Sequence, residues 1–571
     1  MPSRRSFIKG GLGAFTLGLL ARRGWGLPRV GPNDPGCVPM RDSIPILRIP
    51  RHPASVTVDG MPFADGWFGD SFPDGAIPFH SVENAFPPEG QPPEPTEEVD
   101  IAIVGGGISG LATAYLLRRW RPVLFELHER CGGTSQGEVW ADTRYSLGGA
   151  YIIVPDEGDF LDQLYRELRL DQAYRLSEGD DPMELNDQIR FDFWTGAGLS
   201  PEEQLAFQRY AEVVAYMAEE SYPEIPLPPG EDNTWILALD NRTLKEDIED
   251  QMGMTAPPLL AAGIQSYCYS SFGAGWEELS AAAGWNFIAA EEYGRWVFPG
   301  GNSYLATRMW ERLAAIDQGQ PAGGARRLLR AGCRVVDVRL RPNDRIQVTW
   351  RDCQGGFRSL LARRVVMCCP KHVAKHVVQD LAQLDPEKWN AMNGVPFRAY
   401  VVANVLLEAP VALDFYDIFL LGNGQYPTSS DEAEAWSRVT DMLSGHYARR
   451  QNVPRGVLTL YWPLPYPSGR FDLIVPESWN NYATAIVPQI RKMLDLLSVP
   501  HSAVRQVRLT RWGHAMPVPL PGTIANGVAD ALRRPIEDRI FFVNQDNWAL
   551  PAVENCLLDA AHFEPQIRAG L

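Results

Sequence analysis

Three glycines, Gly105, Gly107 and Gly110, stand at G-x-G-x-x-G spacing between an apolar run at 101–104 and an Ala/Leu-rich segment that starts at Ile108. Each does separate work in such a turn. The first permits the tight bend, the second lets the backbone approach a diphosphate, and the third lets helix and strand pack closely. Ser109 lies in the same turn, where the first N–H groups and the positive end of the helix dipole favour an anion. Glu126 ends the next apolar run, 16 residues after Gly110, where a carboxylate can accept both hydroxyls of an adenosine ribose. These residues together read as a dinucleotide site.

The elements that must hold them are legible from periodicity. A strand at 101–104, a helix at 108–120 and a strand at 123–127 make the unit that carries the glycine turn. Helical patterns then dominate from about 157 to 292, as at 160–170 and 201–220. Strands follow at 335–338, 346–350 and 364–368. Further strands are expected at 400–407 and 457–461, a helix at 482–497, a last strand at 539–543 and a closing helix. Residues 28–98 are rich in Pro and Gly and read as an extended arm with a few short strands such as 55–58. Phe63, Trp67, Phe68, Phe72 and Phe79 give that arm apolar surface to bury.

The stretch after Glu126 narrows the cofactor. Glu126-x3-Arg130-x-Gly132-Gly133 resembles the second fingerprint of the flavin-containing amine oxidase superfamily, whose relatives include monoamine and polyamine oxidases, protoporphyrinogen oxidase and phytoene desaturase. The resemblance implies FAD, with Arg130, Gly132 and Gly133 beside its diphosphate and ribityl chain. Thr134 stands where the family usually has a further arginine. Gly148-Gly149-Ala150-Tyr151 resembles the family's next glycine turn, which passes close to the isoalloxazine. Phe298-Pro299-Gly300-Gly301-Asn302 looks like its PGG turn. The strand trio that starts near Val335 is similar to the meander that holds the adenine through backbone groups of Val335. Residues 539–546 resemble the strand ending in Gly-Asp, with Asp546 kept for the ribityl or phosphate and Gln545 in place of glycine. Ala552-Val553-Glu554-Asn555-Cys556 stands where the family has Ala-x-x-Ser-Gly before a helix against the flavin. The implied fold class is α/β: an FAD-binding, Rossmann-like doubly wound domain (99–155, 296–375 and 535–571) with an interleaved α+β substrate-binding domain (156–295 and 376–534).

On the substrate side, Arg511-Trp512-Gly513-His514 resembles the Arg/Trp strand whose side chains face the flavin in this family. Trp512, His514 and Tyr151 are therefore the candidate catalytic residues; core packing is the competing role for Trp512 and Tyr151, and a structural or surface role for His514. His372 and His376 have metal-ligand spacing on a helix, but no third ligand is near in sequence, so the pair reads as a solvated face and no metal is expected. The acidic runs Glu291-Glu292 and 246–250 read as surface, with attraction of a cationic substrate as the alternative. The chain has 17 tryptophans, mostly core, some able to cage an amine.

The expected reaction is oxidation of an amine or amino-acid-type substrate by hydride transfer to flavin N5. Many amine oxidases of the family carry a lysine near N5 that helps oxygen react, and the matching strand, 397–402, has none. A dehydrogenase that passes electrons to a quinone or cytochrome in the envelope is the expectation. The alternatives are a desaturase or isomerase of an apolar C–C substrate, and a flavin-bearing partner protein without turnover.

A net charge of -17 excludes a nucleic-acid partner on electrostatic grounds. The eight cysteines include no CxxC pair, which gives little support to a metal site or a disulfide framework. Cys368 and Cys369 end an apolar run and read as buried. Residues 3–9, Ser-Arg-Arg-Ser-Phe-Ile-Lys, resemble a twin-arginine export motif within a leader at 1–27, which implies a periplasmic or secreted protein. The apolar run behind it, 10–21, is shorter than the roughly twenty residues that span a bilayer.

Overall fold

The computed structural model describes residues 37–70, 91–318, 327–449, 454–475 and 477–571. The leader at 1–27, and Phe72 and Phe79 of the arm, lie outside the described residues.

Two sheets organise the chain. In the first, the strands run in the order Leu329–Arg330, Val123–Phe125, Glu97–Val104, Phe357–Met367, Arg345–Arg351, Arg334–Arg341, with Ile540–Phe542 beside Phe357–Met367. The strands Leu329–Arg330, Val123–Phe125, Glu97–Val104, Phe357–Met367 and Ile540–Phe542 are parallel, with Ala102 opposite Val123 on one side and Val365 on the other. Parallel strands are covered on both faces, which is why Ile101, Ala102, Ile103 and Val104 are all buried. The helix Ile108–Leu116 packs on the helices Ser303–Gln318 and Val553–Ala569. The three strands of the meander, Arg334–Arg341, Arg345–Arg351 and Phe357–Met367, are antiparallel.

The helix expected at 108–120 divides. Its α-helical part ends at Leu116, a 3-10 turn covers Arg118–Trp120, and Arg121 takes φ +51°, because Pro122 excludes the α conformation from the residue before it. The strand expected at 123–127 stops at Phe125, where Glu126 turns its carboxylate back onto backbone N–H groups.

The second sheet has ten strands, with Phe397–Leu407 near its middle between Gly456–Leu464 and Val504–Pro517. All eleven residues of Phe397–Leu407 are buried. The helix Pro201–Glu219 opens with a reciprocal capping box between Ser200 and Glu203 and Pro201 in its first turn, a combination that satisfies the exposed N–H groups of a helix start. It belongs to an apolar cluster with Ala281–Glu291 and Pro258–Phe272.

The arm is built into both halves. Ile46–Ile49 runs parallel to Gly137–Trp140. Met61–Phe63 and Phe68–Gly69 pair with Val504–Pro517, and Val56–Val58 pairs with Met61–Phe63. Phe63 and Trp67 are buried. A third sheet, Arg175–Ser177, Arg295–Val297 and Tyr151–Ile153, lies where the chain leaves the first sheet and where it returns. Among the described residues no helix is long and apolar enough to cross a membrane.

Candidate active site

The glycine turn is made of backbone-on-backbone contacts. Gly105 has φ +109°, and a Cβ there would stand 2.9 Å from the Cys369 nitrogen. A Cβ on Gly110 would stand 1.8 Å from the Gly105 carbonyl oxygen. Gly107 caps the helix Ile108–Leu116 without a side-chain hydrogen bond, and no acidic residue occupies the first turn. The positive end of the helix is thus left for a ligand anion. Gly107 also forms a parallel bridge with Gly132, and a Cβ on the next residue, Gly133, would lie 3.2 Å from the Gly107 Cα. Gly106 N–H and His128 N–H donate to Glu126 at 2.7 and 2.8 Å. Burial pushes Glu126 up, opposed by His128 and these N–H groups. A carboxylate has about four lone-pair positions, and the N–H groups of Gly106, Leu127 and His128 engage three of them, so one remains for a ribose.

The other predicted cofactor residues distribute around this turn. Gly132 N–H donates to the Gly106 carbonyl at 2.8 Å, which holds the Arg130–Gly133 loop against the glycine turn. Arg130 is half-buried, with Glu138 as its main charge partner, and burial lowers its pKa. Val335 is buried in the first meander strand; two residues before it, Cys333 N–H donates to the Glu126 carbonyl at 2.9 Å. Ser109 is buried and bonds the thiol of Cys556. Asp546 is buried and accepts the Lys371 N–H at 2.8 Å, so one of its oxygens is already committed inside the fold.

Beyond the turn opens a cavity of about 300 Å³. Thr134, Gly149, Ala150, Tyr151, Trp512 and Val553, all expected near the flavin, line it together with Gln545. The indole N–H of Trp512 donates to the Leu147 carbonyl at 2.8 Å, and a Cβ on Gly148 would meet the Thr134 carbonyl at 2.2 Å. The start of the helix Val553–Ala569 points at the same space, again without a side-chain cap. The opposite wall carries Tyr400 and Tyr461, whose rings meet edge to face at 5.4 Å. The Tyr461 hydroxyl donates to the Gly148 carbonyl, which ties the wall to the glycine turn. Asp156, Asp159, Glu224, Glu291 and Glu554 are in the lining, and among the described residues no Lys, Arg or His is.

Four expectations are corrected. His514 is not in the cavity wall: its ring stacks on His372 at 3.4 Å and 15°. The cause is an irregular register in which Tyr400 pairs Trp512 and Arg398 pairs Met516. Ala399 alone stands opposite the three residues 513–515, so the alternation of sides breaks after Trp512. His372 in turn is half-buried against His514 and Phe397, while His376 is exposed, so the two do not form one solvated face. Among the described residues no group of three His, Cys, Asp or Glu stands as a metal site. Glu291, read as surface, is a further correction. It lines the cavity, accepts from Tyr151 at 2.6 Å and Tyr267 at 3.0 Å, and pairs with Arg295 at 3.4 Å. Of the run 246–250, Glu246 and Asp250 are exposed as read, whereas Asp247 is buried and accepts the Trp285 indole N–H at 2.7 Å.

Tyr400 and Tyr461 carried no signal as single residues. Their runs read only as strands, and it is the antiparallel pairing of Phe397–Leu407 with Gly456–Leu464, with Val402 opposite Tyr461, that brings their rings together at the cavity. The sequence pattern of the family described as flavin containing amine oxidoreductase matches residues 108–546. The chain belongs to that family. Its cofactor is FAD, and the uncapped helix start, the glycine lane and the buried Glu126 fit it. The flavin amine oxidoreductase chain is 20% identical over 534 residues to oxidoreductase PigB of Serratia sp. (strain ATCC 39006), which covers 83% of this chain and 76% of that one. Its fold is similar to that of putrescine oxidase bound to putrescine, with TM-score 0.57, 16% identity, and coverage of 83% of this chain and 100% of the other. A cyclohexylamine oxidase from Brevibacterium oxydans IH-35A gives TM-score 0.54 at 18% identity over 82% and 99% of the two chains. A fatty acid isomerase from P. acnes gives 0.57 at 11% identity over 81% and 98%, so the fold hosts more than one chemistry.

Proposed function

We propose that this FAD-dependent oxidoreductase oxidises an amine or amino-acid-type substrate and hands the electrons to a quinone or cytochrome acceptor. The observation that carries the substrate class is the charge of the cavity wall: five carboxylates and four tyrosines, Tyr151, Tyr222, Tyr400 and Tyr461, with no basic side chain among the described residues. Such a wall attracts a cationic amine, and the crossed Tyr400 and Tyr461 rings offer it a π-face. When bound, FAD supplies the hydride acceptor. Trp512, locked by its bond to Leu147, and Tyr461, locked onto Gly148, orient the substrate carbon and exclude water. The start of Val553–Ala569, which has no side-chain cap, would offer its positive dipole end to the flavin.

The acceptor reading is supported by the absence of lysine from the cavity lining among the described residues. Export by the twin-arginine route to the periplasm remains part of the proposal, because that route carries proteins that have already folded around a cofactor.

The test is an anaerobic absorbance titration of the flavoprotein with amines, polyamines and amino acids, followed by admission of air. Bleaching of the flavin band by one of these classes, with slow recovery in air and fast recovery with a quinone, is the expected result. A band unmoved by any amine would transfer the reading to C–C desaturation or isomerisation. Rapid stoichiometric peroxide would refute the acceptor.

A further inference from the structure

Three thiols from three separate segments meet on the outside of the FAD-binding half. Cys37 opens the described part of the arm, Cys333 precedes the strand Arg334–Arg341, and Cys353 lies in the turn between Arg345–Arg351 and Phe357–Met367. The thiols of Cys37 and Cys353 are in hydrogen-bonding contact, as are those of Cys37 and Cys333. The Cys37 sulfur also accepts the Cys353 N–H at 2.6 Å. Asp352 accepts the N–H groups of Gln354 and Gly356 at 3.0 and 2.9 Å, which holds the Cys353 turn in shape. Cys333 is buried, Cys37 half-buried and Cys353 exposed.

The segment that Cys37 begins reaches the cofactor loop. The Val38 carbonyl accepts from Arg327 at 2.7 Å, the Ser43 carbonyl accepts the Cys131 N–H at 3.0 Å and the Pro45 carbonyl accepts the Gly137 N–H at 3.1 Å. The indole of Trp310 bonds the Ser43 hydroxyl at 3.1 Å, and Ile46–Ile49 then pairs with Gly137–Trp140. The segment is a strap across the back of the loop that carries Arg130, Gly132 and Gly133.

We infer that Cys37 and Cys353 form a disulfide that fastens this strap and slows the release of FAD. Cys353 is the partner because it is the accessible thiol and already touches Cys37; Cys333 is shielded. The reaction is thiol–disulfide exchange with a disulfide oxidant. The Cys353 thiolate attacks the oxidant and releases one thiol. The Cys37 sulfur then displaces the second thiol from Cys353, so two protein thiols are oxidised and one disulfide is reduced to two thiols. Burial and the neighbouring Cys37 push the Cys353 thiol up to about 11, so the exchange needs mildly alkaline conditions or a catalyst.

The experiment equilibrates FAD-loaded protein with oxidised glutathione at mildly alkaline pH, alkylates free thiols and maps the unreduced digest. The expected product is one peptide pair joining Cys37 to Cys353, with Cys333 alkylated; it persists in Cys333→Ser and disappears in Cys353→Ser. Flavin release into mild chaotrope, read by fluorescence, is expected to be several-fold faster for the same wild-type sample after dithiothreitol. Alkylation of both Cys37 and Cys353 in the oxidised sample, or a wild-type link to Cys333, overturns the pairing. Equal release before and after verified reduction overturns the role of the strap.

Discussion

The Tyr151 hydroxyl donates to Glu291 Oε1 across 2.6 Å and joins the 148–151 glycine turn to the acidic wall of the cavity. Tyr267 donates to the same oxygen, and Arg295, held by Asp181 at 2.7 and 2.8 Å, pairs with the other. Burial pushes Glu291 up, while Arg295, Tyr151 and Tyr267 pull it down. Removing one of those donors in Tyr151→Phe leaves the carboxylate less stabilised, so it ionises at higher pH. The acidic limb of kcat/KM for a cationic amine is expected to move to higher pH in that variant, measured as a full pH–rate profile against the parent.

Glu291→Gln keeps the shape of the wall and removes its charge. A cationic amine should bind about tenfold more weakly, a loss near 1.4 kcal/mol, with a smaller change in kcat. Steady-state kinetics with a charged and a neutral substrate of similar size separate this from general damage, because the neutral one should be unaffected.

Gly110→Ala tests the glycine turn directly. The added methyl would lie 1.8 Å from the Gly105 carbonyl oxygen, so the helix start must move away from the strand, and the anion site is lost with it. The purified variant should carry little flavin, which the ratio of flavin to protein absorbance reads.

Trp512 is buried and bonded to Leu147. Trp512→Phe keeps most of the packing and costs about 1 kcal/mol for the lost hydrogen bond, whereas truncation to Ala costs about 3–5 kcal/mol. If the indole orients the substrate, Trp512→Phe retains flavin yet loses about tenfold in kcat/KM. Full activity per bound flavin would assign Trp512 to the core alone.

Asp317 ends the helix Ser303–Gln318 and accepts the N–H groups of Leu328 and Leu329. Burial raises its pKa from 3.8 to about 6. Between those values the folded protein holds a proton that the unfolded chain has released, so this stabilising contribution is present below 3.8 and lost as pH rises through about 6. Asp317→Asn should flatten that fall, seen as a smaller drop in unfolding temperature between about pH 4 and about pH 6.

Much of the cofactor half was legible in order along the chain. A glycine turn is local: Gly105, Gly107 and Gly110 are required by contacts within one strand–turn–helix, and Glu126 lies one strand away, so spacing alone identifies them. The Arg130–Gly133 loop and the 148–151 turn were reached by resemblance, since their work is done against a ligand. Thr134, Gly149, Tyr151, Trp512 and Val553 meet in one cavity, although 419 residues separate Thr134 from Val553. His514 was misjudged because side-chain direction on a strand follows pairing register, and the irregularity opposite Arg398 and Tyr400 leaves no mark in the sequence.

The sequence by itself determined the dinucleotide turn, the flavin family and most helices and strands, because those depend on local spacing and periodicity. Only the tertiary structure decided that Glu291 is a wall residue, that Tyr400 and Tyr461 face the cavity, and that the arm is a strap brought to Cys353. Burial, register and contact between distant segments are properties of packing, and packing joins residues that the chain keeps hundreds of positions apart.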